Sequence, residues 1–170
     1  MPSLIKHGQA QRDDWHLLRQ NQEGGWPGAP DDQDVLVPLN YWLSEREALM
    51  RRRGRVGVWL APDDEPGRLA ADLPRLPVVA VDFPVFTDGR GYSLARLLRE
   101  RYHYAGELRA IGDVWQDLAH ALAQVGFDAF AVKDGKAADR MATSLQTFSE
   151  QYQSTWRQPE PLFRRRVTLL

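Results

Sequence analysis

Glycine, arginine and carboxylate side chains that could bind an anion are concentrated in residues 82–93, which read Asp-Phe-Pro-Val-Phe-Thr-Asp-Gly-Arg-Gly-Tyr-Ser. Gly89 and Gly91 flank Arg90, and glycine permits positive φ angles and a close approach of the backbone to a ligand. A helix is predicted to follow, and the free N–H groups at its start would favour an anion that Arg90 could grip with two hydrogen bonds. We therefore predict an anion site at Gly89, Arg90 and Gly91; a capped strand-to-helix turn is the alternative.

Arg109 is a second candidate, because it interrupts the otherwise apolar strand predicted at residues 108–111. A charge within a central strand needs a partner or a face lined with water. Glu107 lies two residues away and therefore on the same face of the strand. Two interpretations stay open: a structural ion pair with Glu107 or Asp82, or part of an anion pocket that also includes Arg90.

Three aspartates are candidates for general acid or base chemistry. In parallel α/β folds, ligands collect at the carboxyl ends of the strands. Asp82 ends one predicted strand, Asp113 follows the next one along the chain, and Asp88 lies in the loop between them. If the protein is an enzyme, we expect Asp82, Asp88 or Asp113 to move the proton.

Strands and helices alternate along most of the chain. Asp113 is also predicted to cap the helix at residues 113–125. The alternation predicts an α/β fold with a mainly parallel sheet of about five strands in βα repeats, either an open sandwich or a half-barrel. The strands are predicted at 35–37, 56–60, 78–81, 108–111 and 129–132, and the helices at 44–53, 66–73, 92–102, 113–125 and 137–153.

The chain divides by composition into three parts. Residues 1–34 form an N-terminal extension that contains a loop rich in glycine and proline, with short strands predicted near residues 4–5 and 15–18 as a possible hairpin. Residues 35–156 form the α/β domain, and residues 157–170 form a C-terminal tail. A length of 170 residues suits one domain with its own core.

Composition argues against several classes of function. A net charge of −1 offers no basic surface for nucleic acid, and the absence of cysteine excludes disulfides, thiol nucleophiles and cysteine-ligated clusters. The four histidines have no metal-site spacing, and no nucleotide or flavin fingerprint is present. We therefore expect no metal and no cofactor. Because no signal peptide or membrane span is recognisable, we expect a cytoplasmic location.

Four stretches of the chain resemble a known group of sequences. They are residues 83–93, Gly-Glu-Leu-Arg-Ala at 106–110, Gly-Asp-Val at 112–114 and Gly-Phe-Asp-Ala-Phe at 126–130. Together they resemble a bacterial family of unknown function whose members are described as oxidoreductases of sulfite reduction and are linked with the assimilatory sulfite reductase. Leu94, Gln124 and Val125 depart from the residues usual in that family.

The resemblance implies a role in sulfur assimilation beside sulfite reductase. That enzyme uses sirohaem and an iron–sulfur cluster, for which this chain has no cysteine ligands. We therefore expect an accessory protein that binds the reductase or a small oxyanion. The alternative is an enzyme acting on a small anionic metabolite at the carboxyl edge of the sheet, with Arg90 and Arg109 as clamps. A third reading is a structural partner whose loop docks on another protein.

Overall fold

The sheet contains eight strands in the part of the chain that the structure describes. A computed structural model describes residues 3–132, 143, 145, 154–156 and 158–167. The sheet is mixed but mostly parallel, and it curls as a half-barrel. Its strands lie side by side in the order β2-β1-β8-β7-β6-β5-β4-β3. They are β1 (Ser3–Lys6), β2 (Gln9–Arg12), β3 (His16–Leu17), β4 (Val35–Pro38), β5 (Val56–Leu60), β6 (Val78–Phe83), β7 (Glu107–Gly112) and β8 (Ala129–Val132).

The five predicted strands are confirmed as β4 to β8, which are neighbours in the sheet and pair in parallel. The central strand β6 has the sequence Val-Val-Ala-Val-Asp-Phe, and all six of its residues are buried. A strand covered on both faces needs apolar side chains at successive positions, which gives a continuous apolar run instead of alternation. The prediction of about five strands was nevertheless too low.

The three additional strands all come from the first 34 residues. Strands β1 and β2 form an antiparallel hairpin, and its turn at His7 and Gly8 has φ angles of 53° and 73°. Two successive positive φ angles are typical of the turns that join twisted hairpin strands. Strand β1 also pairs antiparallel with β8, and β3 pairs in parallel with β4. The N-terminal residues therefore extend the sheet at both of its edges.

The helices are more irregular than predicted, and their bounds differ from the predicted ones. The 44–53 helix is α1 (Leu39–Met50), and the 92–102 helix is α2 (Arg90–Arg96) followed by one π-helical turn, Leu97–Arg101. Residues 66–73 form parts of two 3-10 turns, Pro66–Leu69 and Leu73–Arg75, each with a proline that favours a helix start over its continuation. A 3-10 turn, Gln116–Leu118, precedes α3 (Ala119–Gln124).

The C-terminal part of the chain is described only in pieces. The helix predicted over 137–153 lies almost wholly outside the described residues. Within the tail, α4 covers Leu162–Val167. No helix among the described residues is long and apolar enough to cross a membrane.

The two faces of the sheet differ in character. One face, the helix face, packs Val58, Val81 and Leu108 against buried side chains of the helices, including Trp42 and Leu98. The other face, which we call the polar face, holds a smaller apolar group at Leu36, Val78, Ala80 and Ile111. Because side chains alternate along a strand, the same face of β6 and β7 also carries Asp82, Glu107 and Arg109. Asp82 lies toward the carboxyl end of this face, and Glu107 lies at its amino end.

Candidate functional site

The carboxyl ends of β6 and β7 bring Asp82 and Asp113 close together. Gly112 makes this possible, because it has a φ of +91° and a Cβ atom there would lie 2.6 Å from Asp82 Oδ1 and 2.4 Å from the Phe83 carbonyl oxygen. The backbone N–H of Asp113 donates to that same carbonyl at 2.7 Å. This edge is where ligands of parallel α/β folds collect.

Asp82 is held by an arginine that follows β3. The guanidinium of Arg19 donates to both Asp82 carboxylate oxygens, at 3.0 and 2.5 Å. The same guanidinium lies 5.0 Å from the ring centre of Trp59, whose indole N–H donates to the Leu18 carbonyl. Asp82 is buried, and the two Nη atoms of Arg19 cover its carboxylate. The Arg19 guanidinium therefore contacts both oxygens with which Asp82 could meet a substrate.

Asp88 and Arg90 form a local network instead of an open anion cradle. Asp88 accepts hydrogen bonds from the Arg90 backbone N–H and from its Nε and Nη2 at 3.1, 3.0 and 2.7 Å. Hydrogen bonds from Arg90 hold the pKa of Asp88 below its usual value, and Asp88 in turn raises the pKa of Arg90. Asp63 binds the remaining Nη1 of Arg90. Two carboxylates thus occupy the predicted anion-binding fork.

The glycines beside Arg90 do not adopt the positive φ angles that glycine permits. Gly89 has a φ of −76°, and Gly91 is absent from the residues with positive φ. Gly91 is instead required by packing, because a Cβ atom there would lie 2.4 Å from the Phe83 ring. The absence of a side chain at Gly91 therefore serves the contact between α2 and β6.

Asp113 fixes the loop that follows β6. Its Oδ2 accepts from the Phe86 backbone N–H at 3.2 Å, and its Oδ1 accepts from the Trp115 indole N–H at 3.1 Å. The prediction that Asp113 caps a helix was wrong, because the 3-10 turn starts only at Gln116. The carboxylate instead joins two loops at the carboxyl edge.

The loops that Asp113 joins expose large apolar side chains. Val85, Phe86 and Trp115 are 51%, 50% and 54% exposed, and the last two rings stack with their centres 5.7 Å apart. We call these three residues the aromatic edge patch. Sequence analysis missed this patch, although its signal was present in the apolar residues of a loop rich in turn-forming residues.

Arg109 lies away from Arg90, at the opposite end of the polar face. Its side chain is 1% exposed, and it binds Glu107 through Nε at 2.8 Å and Asp13 through Nη1 at 2.8 Å. Lys6 completes the cluster through an ion pair of 2.6 Å with Glu107. The predicted pairing with Glu107 is present, whereas Arg109 does not reach the loop of Arg90, because its guanidinium points toward the first residue of β7.

The predicted site residues therefore fall into two groups with limited chemical scope. Asp82, Asp88 and Asp113 lie at the carboxyl edge, and donors of the protein itself contact the carboxylate oxygens that a substrate would need to reach. Arg109 belongs to a buried ion cluster at the amino edge. Among the residues that the structure describes, no three His, Asp or Glu side chains are placed to hold a metal ion. The exposed feature of the carboxyl edge is the aromatic edge patch.

Comparisons with known proteins assign a family. No curated protein and no solved structure matches the chain at a significant level. A family model described as "Bacterial protein of unknown function (DUF934)" matches residues 57–163, which include β5 except its first residue, β6 to β8, the loop at 84–89 and the aromatic edge patch. Because this match covers well over half of the 170 residues, the chain belongs to the DUF934 family of bacterial proteins of unknown function.

Proposed function

We propose that the protein is an accessory protein of assimilatory sulfite reduction and that it binds sulfite reductase through the aromatic edge patch. The exposed pair of Phe86 and Trp115 carries the binding part of the proposal. The reductase is proposed as the partner because the resemblance described above links the family with it. The longest stretch of that resemblance, residues 83–93, contains Val85 and Phe86. Two residues of the aromatic edge patch therefore lie within a matching stretch, and the third, Trp115, directly follows another, residues 112–114.

The stacked rings have the properties of an interaction surface. Aromatic side chains are enriched among the residues that dominate binding energy at protein interfaces. The hydrogen bonds from Phe86 N–H and Trp115 Nε1 to Asp113 hold the two loops in place. A partner would consequently lose little conformational entropy in ordering them, which favours affinity.

Charged residues beside the patch supply a polar rim. Arg90 pairs with Asp63 and Asp88 at the start of α2; the side chains of Asp63 and Arg90 are exposed, whereas that of Asp88 is only 8% exposed. A polar rim around an apolar centre is the usual arrangement at protein interfaces. The accessory role is favoured over catalysis because the carboxylates at this edge are already engaged.

The binding proposal predicts that Phe86→Ser and Trp115→Ser each weaken the complex with purified sulfite reductase from the same bacterium by about tenfold or more. Each change removes exposed aromatic area without opening the core, so the fold should survive. Biolayer interferometry of the full chain against the immobilised reductase would measure the dissociation constants.

Phe163→Ser is the matched control, because Phe163 is 58% exposed on α4, outside the aromatic edge patch. It should bind the reductase as wild type does. The proposal fails if wild type does not bind at micromolar concentration, or if all three variants bind equally well.

A small oxyanion is a second ligand that we propose for the same edge. The supporting observation is that Asp63 is 87% exposed and occupies only Nη1 of Arg90. Such a carboxylate is easily displaced by another anion, since an exposed ion pair contributes little stability. Sulfite, sulfate or phosphate could then take its place on Arg90, next to the open backbone of Gly89.

The oxyanion proposal predicts opposite effects for two substitutions. Asp63→Asn removes the competing charge and should strengthen sulfite binding severalfold, whereas Arg90→Ala should weaken it about tenfold or more. Isothermal titration calorimetry with sulfite, sulfate and phosphate would measure both. Equal affinities in wild type and Arg90→Ala would contradict the oxyanion site and leave reductase binding to its own test.

A further inference from the structure

A cavity of about 410 Å³ lies at the amino edge of the sheet, on the opposite edge from the aromatic edge patch. It opens between the end of α1, the loop that leads into β5 and the turn that precedes β6. We propose that this cavity binds a small organic anion with an apolar body, such as an aryl or alkyl carboxylate, sulfonate or phosphate. Its volume lies within the range of roughly 300–1,000 Å³ that is usual for small-molecule sites.

Apolar side chains form the inner wall of the cavity. Trp42 and Leu49 project from α1, and Leu76 projects from the segment before β6. All three are buried members of the main hydrophobic core. Met50, the last residue of α1, also lines the cavity and is 51% exposed. A ligand with an apolar body would therefore lose water-exposed surface on entering.

The loop that carries the arginines of the cavity is held firmly by the preceding segment. Gly54 donates from its backbone N–H to the Asp31 carbonyl at 2.9 Å, and a Cβ atom at Gly54 would lie 2.0 Å from the Gln33 carbonyl oxygen. Arg53 and Arg55 are paired with the carboxylates of Asp31 and Asp34. These two arginines are neutralised, and they shape the wall without attracting an anion strongly.

Two further arginines of the cavity lack a carboxylate partner among the described residues. Arg52 donates from Nη2 to the carbonyl oxygens of Pro30 and Gln33 at 2.6 and 3.2 Å, but its Nε is buried without a hydrogen-bond partner among the described residues and its charge is uncompensated. Arg75 is exposed, and the structure shows no ion pair or side-chain hydrogen bond for it with any residue that is described. The cavity thus combines an apolar wall with two uncompensated positive charges.

This combination selects the chemical class of the ligand. An inorganic anion would contact Arg52 and Arg75 but would gain nothing from the wall formed by Trp42, Leu49 and Leu76. A neutral apolar molecule would gain from the wall but not from the charges. A ligand with one anionic group on an apolar body uses both, and a charge-assisted contact with arginine is worth about tenfold or more in affinity.

The test uses 8-anilinonaphthalene-1-sulfonate, an aromatic sulfonate, as the probe for the full chain. Fluorescence titration should give one site per chain. Arg75→Gln and Met50→Glu, which remove a positive charge from the cavity and add a negative one at its mouth, should each weaken binding by about tenfold or more. The uncharged analogue N-phenyl-1-naphthylamine should bind wild type about tenfold more weakly than the sulfonate does.

Two matched variants separate this site from general effects. Arg68→Gln removes an exposed arginine that does not line the cavity, and Trp115→Ser removes an exposed aromatic ring of the aromatic edge patch. Both should bind the probe as wild type does. The proposal is overturned if the probe does not bind, if Arg68→Gln weakens binding as much as Arg75→Gln, if Trp115→Ser abolishes it, or if the neutral analogue binds equally well.

Discussion

Replacement of Arg99 by methionine is expected to lower the free energy of unfolding by about 3–5 kcal/mol. Arg99 is 4% exposed, and its guanidinium links three separate parts of the chain. It donates to the carbonyl oxygens of Tyr104, Gly106 and Gly126 at 2.5, 2.9 and 3.0 Å, and it pairs with the carboxylate of Asp128. These contacts tie the π-helical turn after α2 to the loops that precede β7 and β8.

The large effect follows from what methionine would leave behind. Its side chain fills much of the volume of arginine but donates no hydrogen bonds, so three buried or partly buried carbonyl groups lose a donor. Each unsatisfied buried group costs about 1–3 kcal/mol. Asp128 loses its ion-pair partner but keeps the Leu108 backbone N–H at 3.0 Å. The total is a large fraction of the 5–15 kcal/mol that is typical of a whole domain.

Urea unfolding followed by circular dichroism would measure the effect without relying on Trp156, which stacks against Arg99. Arg96→Ala is the control on the same helical segment, because among the described residues the ion pair of Arg96 is an exposed i,i+4 contact of 3.1 Å with Glu100. Its effect should stay within about 0.5 kcal/mol. A loss below about 1 kcal/mol for Arg99→Met would mean that water replaces the guanidinium at these carbonyls.

The parallel part of the sheet could be predicted because burial on both faces forces apolar residues onto consecutive positions. Strand β5, Val56–Leu60, was predicted with its observed bounds, and β6 differs only at its carboxyl end. Strand β2, Gln9–Arg12, gave no such signal because all four of its residues are exposed. It exists through pairing with β1, and pairing partners distant from the core are not visible in hydrophobic patterning.

The ion-pair partners of the charged residues could likewise be predicted only in part from the sequence. The period of two along a strand correctly suggested that Glu107 would pair with Arg109. It could not suggest Asp13, which lies 96 residues earlier, or the pairing of Asp82 with Arg19 across 63 residues. Such contacts depend on how the N-terminal segment folds onto the polar face, and a single sequence contains no periodic signal for that.

The loop after β6 shows how one residue pattern can serve a different purpose from the predicted one. Two glycines around Arg90 suggested positive φ angles and an open backbone for an anion. Gly91 instead makes room for the Phe83 ring, and Arg90 is taken up by its neighbours Asp88 and Asp63. The ring of Phe83 on the preceding strand and charge pairing with Asp88 and Asp63 decide the structure of this loop.

Replacement of Arg109 by methionine is expected to lower the free energy of unfolding by about 3 kcal/mol or more at neutral pH. Arg109 is the most deeply buried charge of the cluster on the polar face, with two carboxylates as partners. Without Arg109, Glu107 keeps its ion pair with Lys6, while Asp13 loses the guanidinium that pairs with it. Chemical unfolding at pH 7 would measure the loss.

The same variant should change the response to acid. Burial raises the pKa of Glu107, but the charge of Arg109 and the hydrogen bond from Lys6 outweigh it and hold the pKa below its ordinary value of 4.5. A carboxylate whose pKa is lowered by folding stabilises the protein above that ordinary value, and the contribution is lost as the pH falls below it. In Arg109→Met the burial remains while one cation is gone, so the pKa of Glu107 rises and the stability that its protonation removes below about pH 4.5 becomes smaller than in wild type.

Two further variants separate the ion cluster from simple packing. Glu107→Gln removes the titrating group and should flatten the pH dependence of stability below about pH 5. Asp13→Leu combined with Arg109→Met removes the second uncompensated charge and should recover part of the stability lost in the single variant, because replacing both partners by apolar groups is far less costly than removing one. If the double variant is no more stable than Arg109→Met, or if the free energy of unfolding of Arg109→Met falls as much between pH 7 and pH 4 as that of wild type does, the cluster does not contribute through charge pairing. In that case Arg109 would act through its volume, which methionine largely reproduces, and the expected loss at pH 7 would also be absent.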